Sequence, residues 1–93
     1  MRTPLETMLA RARILACPTR LSLWFSLGKD GMRPSEVARM HNVSASTATY
    51  HLQMLKREKL VEVVGAGQWR VYRWTRVEMI LATRAELEAA GDL

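Results

Sequence analysis

Residues 44–55 read Ser-Ala-Ser-Thr-Ala-Thr-Tyr-His-Leu-Gln-Met-Leu and hold no Asp, Glu, Lys or Arg, in a chain where 25% of residues are of those types. Wound as a helix at roughly 100° per residue, this stretch puts Ala48, Leu52 and Leu55 on one apolar stripe. Ser46, Tyr50, Gln53 and Arg57 then share the opposite face, flanked by Thr49 and Met54. Short hydroxyls, a phenol, a carboxamide and a guanidinium are groups that hydrogen-bond base edges or phosphates in a duplex groove. Cations return immediately afterwards at Lys56, Arg57 and Lys59, and again at Arg70 and Arg73. Ser44, Ser46, Thr47, Thr49, Tyr50 and Gln53 are therefore the candidates for base and nearby backbone contacts. Lys56, Arg57, Arg70 and Arg73 are the candidates for phosphate. Taken alone, the stretch also fits a surface helix that is simply polar and uncharged.

The elements around it decide between the two. Thr3, Pro4 and Glu6 open a first helix with a cap, a proline at the first helical position and a capping-box acid. Leu5, Met8, Leu9, Ala12, Leu15 and Ala16 continue it amphipathically until Cys17-Pro18, where the residue before proline leaves helical geometry. A second helix is predicted over 18–27, with Leu21, Trp24 and Leu27 inward and Gly28 ending it. Lys29-Asp30-Gly31 is a turn, Met32-Arg33 a short strand, and 34–40 a third helix burying Val37. Asn42 suits the left-handed residue that ends a helix, Val43 plugs the turn, and Ser44 caps a fourth helix over 45–58. Strands at 60–64 and 69–74 flank Gly65-Ala66-Gly67-Gln68, a glycine-bearing hairpin loop. Along the second strand Trp69, Val71 and Arg73 share one face, and Arg70, Tyr72 and Trp74 the other. Thr75 with Glu78 forms a capping box, and Val77, Ile80, Leu81 and Leu87 mark a last helix to about residue 90.

The fold class is thus mostly α with a small β-hairpin: a winged helix-turn-helix in the order α-α-α-α-β-β-α. It is one domain over 1–93, with the helix-turn-helix at 34–58 and the wing at 60–74. In such an arrangement the second helix of the pair enters the major groove while the hairpin reaches the adjacent backbone or minor groove. Fourteen Lys and Arg against nine Asp and Glu give a net charge of +5, which suits a polyanionic partner. Cys17 is the one cysteine, so an intrachain disulfide and a four-cysteine zinc site are both excluded. No apolar run approaches the ~18 to 20 residues of a membrane span, and no signal peptide opens the chain, so a cytoplasmic, membrane-free protein is expected. A core this small makes oligomerisation the default. Enzymatic constellations are missing: Glu86 and Glu88 lie two apart on a helix and do not face each other.

Five segments in order carry a resemblance. Cys17-Pro18-Thr19-Arg20-Leu21, Pro34-Ser35-Glu36-Val37-Ala38, Val43-Ser44 with His51-Leu52-Gln53-Met54-Leu55, Leu60-Val61, and Gly67-Gln68-Trp69-Arg70-Val71-Tyr72-Arg73-Trp74 resemble the signatures of arsenical-resistance-repressor (ArsR) type winged helix-turn-helix regulators. The similarity spans roughly residues 10–75. It implies a homodimer formed by the first and last helices, at 1–16 and 76–90, with Leu5, Met8, Leu9, Val77, Ile80, Leu81 and Leu87 at the interface. It also implies binding to an imperfect inverted repeat in double-stranded DNA and repression of a promoter, on the nucleoid of a bacterial cell. In the same resemblance Arg20 ties the second helix to its surroundings, and Tyr72 and Trp74 pack inward.

The chain departs from the family where the family senses. Residues 35–39 hold no cysteine pair and 76–90 no histidine, and His41 and His51 are not at ligand spacing with Cys17, so no metal site or cofactor is expected. Relatives that sense persulfides use a second cysteine that is missing here, so Cys17 is expected to be a buried, inert thiol. His51 is expected to be a packed, hydrogen-bonded core histidine. Trp69 fits either a packing residue or an exposed wing contact. An unknown protein or small-molecule effector stays open as a partner. Two rival functions share the fold: a centromere-binding or architectural DNA-binding protein of a plasmid or phage, and a protein-interaction module.

Overall fold

Each of the three prolines starts a helix, because a residue without an N–H loses nothing at a position where the N–H has no intrahelical acceptor. In the computed structural model, which describes residues 2–75, these are α1 (Pro4–Leu15), α2 (Pro18–Leu27) and α3 (Pro34–Met40). Thr3 caps α1 by accepting the Glu6 N–H at 3.1 Å, and its hydroxyl donates to the Glu6 carboxylate at 3.1 Å. Ser44 caps α4 (Ala45–Arg57) in the same way, accepting the Thr47 N–H at 3.1 Å.

Both helices of the helix-turn-helix end on a left-handed residue that is not glycine. Asn42 has φ 51°, and the Val43 N–H returns to the Ala38 carbonyl at 3.0 Å. Lys59 has φ 59°, and the Leu60 N–H returns to the Leu55 carbonyl at 3.0 Å. This is the Schellman arrangement, which satisfies last-turn carbonyls and sends the chain away sharply. It draws Leu60 into the cap, so β1 (Val61–Val64) starts one residue later than the sequence pattern suggests.

β1 pairs antiparallel with β2 (Val71–Trp74), Val61 opposite Trp74 and Val64 opposite Val71. β2 is shorter than expected, since Gly67–Trp69 forms a 3₁₀ turn that starts on left-handed Gly67, two residues after left-handed Gly65. Trp69 therefore leaves the strand, and the alternation expected for it does not apply. The short strand at Met32-Arg33 is a single bridge: Met32 and Tyr72 exchange backbone hydrogen bonds of 3.0 and 2.9 Å.

The core gathers Leu23 and Leu27 of α2, Val37 of α3, Ala48, Leu52 and Leu55 of α4, and Val61 and Tyr72 of the hairpin. On α2 the buried centre is Leu23, with Leu21 and Trp24 only half-buried. Apolar residues cover more than half of this helix, from Leu23 round through Trp24 to Phe25, so its period does not single out which part of that broad face α4 and β2 cover. Cys17 is half-buried rather than buried, because it caps α2 at the corner where the chain leaves α1. Met8 is 6% exposed and packs inside the protomer, whereas Leu5 (56%) and Leu9 (46%) face out. The expected last helix, with Glu78 of its capping box and Val77, Ile80, Leu81 and Leu87, lies outside the described residues, which end at Thr75.

Gly31 sits where α2's exit passes β2. Its φ is +84°, and a Cβ there would stand 2.8 Å from the Arg73 Cβ and 2.8 Å from the Tyr72 carbonyl oxygen. Gly28 also has positive φ, at +63°, but the space around it is open. Gly31→Ala is expected to cost about 2–4 kcal/mol of stability, combining left-handed strain with overpacking, and Gly28→Ala about 1–2 kcal/mol. Urea unfolding of the two variants checks the order; equal costs would show that the β2 backbone yields.

Candidate nucleic-acid interface

Burial of Ala48, His51, Leu52 and Leu55 turns the rest of α4 outward. Ser44, Ser46, Thr47, Tyr50, Gln53, Lys56 and Arg57 are exposed, and Thr49 is half-buried. The polar face expected from the sequence is thus a single surface. The Ser44 hydroxyl, however, is committed to capping: it accepts the Thr47 N–H, donates to Thr47 Oγ1 at 2.8 Å, and lies 3.2 Å from Ser46 Oγ. Ser46 and Thr47 are the hydroxyls at this end whose remaining bonding capacity points to solvent.

Arg20 supports α4 from beneath. Its NH1 group donates to the Ile14 carbonyl at 2.9 Å, its Nε–H donates to His51 Nδ1 at 3.3 Å, and its guanidinium lies 5.9 Å from the centre of the Tyr50 ring. The structural role that the resemblance implies for Arg20 is what the geometry shows. Since His51 Nδ1 accepts, the neutral ring carries its proton on Nε2.

The wing contributes less free charge than the sequence promises. Arg73 and Glu62 face each other across the hairpin, and Arg73 Nε donates to Glu62 Oε1 at 2.7 Å. Arg70 is exposed at the end of the 3₁₀ turn. Trp69, 67% exposed, stands at the wing tip with the Arg33 guanidinium 5.6 Å from its ring centre, which places it outside rather than in the core. Gln53 Nε2 donates to the Tyr72 hydroxyl at 2.9 Å, joining the outer face of α4 to β2. Arg33, Glu62 and the Tyr72 hydroxyl were not among the residues singled out by sequence. Their contacts span distant segments or depend on hairpin register, and no local pattern reports either.

Among the described residues, no three His, Cys, Asp or Glu side chains gather as metal ligands. His41 Nε2 lies 2.9 Å from Ser26 Oγ, a contact between α3's end and α2. No helix among the described residues is long and apolar enough to cross a membrane.

No family model matches the sequence. In three dimensions the chain is similar to an ArsR-like transcriptional regulator from Rhodococcus sp. RHA1, with a TM-score of 0.81, 27% identity, and coverage of 92% of this chain and 80% of that one. It also matches the homodimeric winged helix-turn-helix DNA-binding domain of Mb0332 from Mycobacterium bovis, a possible ArsR-family regulator. There the TM-score is 0.74, with 25% identity over 95% of this chain and 81% of that one. The fold is the winged helix-turn-helix that these two regulators share. NolR from Sinorhizobium fredii shares it at a TM-score of 0.70 and 25% identity, covering 94% and 87% of the two chains. A curated relative, an uncharacterized HTH-type transcriptional regulator YdfF of Bacillus subtilis, is 36% identical over 61 residues, which is 64% of this chain. The match spans 27% of that relative's length.

In this winged helix-turn-helix domain the helix that faces outward rests on a neutral histidine. Burial, and then the nearby Arg20 charge, hold the His51 pKa below the ordinary imidazole value. A histidine of this kind takes its proton first in the unfolded chain, so acid favours unfolding. Its contribution is complete above pH about 6.5, declines as pH falls below that value, and levels off once the folded ring is also protonated. His51→Gln keeps an acceptor for Arg20 without the titration, and it is expected to flatten the loss of stability between pH 7.5 and 5.5. Denaturant midpoints at the two pH values measure this; an unchanged slope would remove His51 as its source.

Proposed function

We propose that this chain is a homodimeric, sequence-specific repressor in the bacterial cytoplasm that binds an imperfect inverted repeat in duplex DNA and needs no metal. The observation that carries the reading is the outer face of α4: polar, without a formal charge from Ser44 to Gln53, and followed directly by exposed Lys56 and Arg57. α4 occupies the major groove and the wing follows the neighbouring backbone. Ser46, Thr47, Thr49, Tyr50 and Gln53 read bases or adjacent sugar-phosphate, with Ser44 supporting them through its cap. Lys56, Arg57 and Arg70 grip phosphate. Exposed Leu5 and Leu9 on α1 support pairing of two copies, as does the homodimeric state of the Mb0332 domain. Two-fold pairing sets the half-sites one helical turn apart, roughly 34 Å.

Selection of duplexes from a random pool by the intact protein tests the reading most directly. Enrichment of a two-fold symmetric site is the expected result. A tandem array of protected sites would point to a segregation protein instead, and no enrichment at about 150 mM salt to a protein-interaction module. On the selected site, Gln53→Ala is expected to relax preference at one position by about 1–3 kcal/mol. Arg70→Ala is expected to weaken all sequences alike and lower the salt slope by about one unit, with a smaller change for Arg73→Ala because Glu62 already pairs with it. Salt titrations of binding distinguish these; a larger slope change for Arg73→Ala would reverse the assignment. Leu9→Glu is expected to yield monomers by sedimentation, and a persisting dimer would move the interface away from α1.

A further inference from the structure

We infer that Tyr72 is a positioning residue for the carboxamide of Gln53, and that the arrangement it imposes selects adenine at the base pair Gln53 meets. The inference rests on the proposed reading of DNA by α4. Tyr72 is 1% exposed, its ring packed in the core. Its backbone exchanges two hydrogen bonds with Met32, and it stands opposite Val63 in the hairpin. A phenol anchored in this way has little freedom in where its hydroxyl lies. That hydroxyl accepts the Gln53 Nε2–H at 2.9 Å, although Gln53 itself is on the exposed face of α4.

An exposed glutamine otherwise samples many rotamers, and ordering it on binding subtracts from affinity. Tyr72 imposes that order before DNA arrives. The bond also determines what the carboxamide presents. Gln53 has two N–H donors and one carbonyl oxygen. With one N–H held by the phenol, one N–H and the oxygen remain. A donor beside an acceptor matches N7 and the N6 amino group of adenine in the major groove, whereas guanine offers two acceptors there. Tyr72 thus acts on specificity through Gln53, without touching DNA.

The test uses the intact protein, a selected duplex and its single-base variants at every half-site position. Gln53→Ala locates the position where discrimination is lost, and adenine is the base expected there. Tyr72→Phe keeps the ring and removes the hydroxyl. It is expected to lower the preference for adenine at that same position about three- to ten-fold, as loss of one hydrogen bond would. Affinity for a scrambled duplex and the salt slope should not change, and the double variant should discriminate no less than Gln53→Ala alone. Full discrimination by Tyr72→Phe, with loss in Gln53→Ala, overturns the positioning role and leaves the reading face standing. No loss in Gln53→Ala overturns both, and loss at a guanine overturns the adenine assignment. A fold-independent check is the side-chain NH₂ resonances of the unaltered protein. Gln53 should be ordered relative to the other glutamine, exposed Gln68; equal mobility of the two overturns the proposal.

Discussion

Burial of the Ala48, Leu52 and Leu55 stripe is the constraint on which the remainder of the molecule depends. A helix repeats every 3.6 residues, so committing one stripe to the core also commits the opposite face to solvent. Leu52 and Leu55 are fully buried, each contributing about 1.5–3 kcal/mol relative to exposure. Leu23, Val37, Val61 and Tyr72 close around them from three other parts of the chain. Ser46, Tyr50, Gln53 and Arg57 then have nowhere to go but outward.

Apolar burial alone leaves a helix free to rock, and polar contacts limit that freedom. Arg20 reaches Ile14, His51 and Tyr50 together, so α1, α2 and α4 share one guanidinium. On the other side, Trp24 donates to the Leu60 carbonyl at 3.0 Å, and Trp74 donates to the Trp24 carbonyl at 2.7 Å, with the two rings 5.2 Å apart. A two-stranded hairpin is marginal in water by itself. These contacts, with the Met32 bridge, dock it beside α4.

Charge is arranged by pairing as well as by position. Glu58, at the end of α4 among Lys56, Arg57 and Lys59, is 7% exposed and takes both terminal nitrogens of Arg2 at 2.6 and 3.0 Å. Hydrogen bonding to Arg2 holds its carboxyl below the usual carboxylate range. The wing pair Arg73 and Glu62 cancels locally in the same way. Lys56, Arg57, Lys59 and Arg70 stay exposed around α4's end and the wing tip, while Arg13, Lys29 and Arg39 are exposed elsewhere.

Helix starts, helix ends and the buried stripe of α4 could be read from the linear chain, because each is enforced within a few residues. Proline at the first turn, Ser44 as cap, Asn42 in the left-handed region and the three-and-four spacing of Ala48, Leu52 and Leu55 are all local. On α2 the pattern favours Leu21 where the structure buries Leu23, because an apolar arc wider than half the helix leaves the choice of its buried part to the neighbours. The second strand starts at Val71 rather than Trp69 because the chain from left-handed Gly65 through left-handed Gly67 curls into a 3₁₀ turn first. The pairs that tune the surface, Arg73 with Glu62, Arg33 with Trp69, Gln53 with Tyr72 and Arg20 with His51, join groups 11 to 36 residues apart. Hydrogen bonds and ring contacts form only within a few ångströms. Which side chains come that close is decided by how the helices and hairpin pack, so the candidates for DNA contact were visible in the sequence but their partners were not.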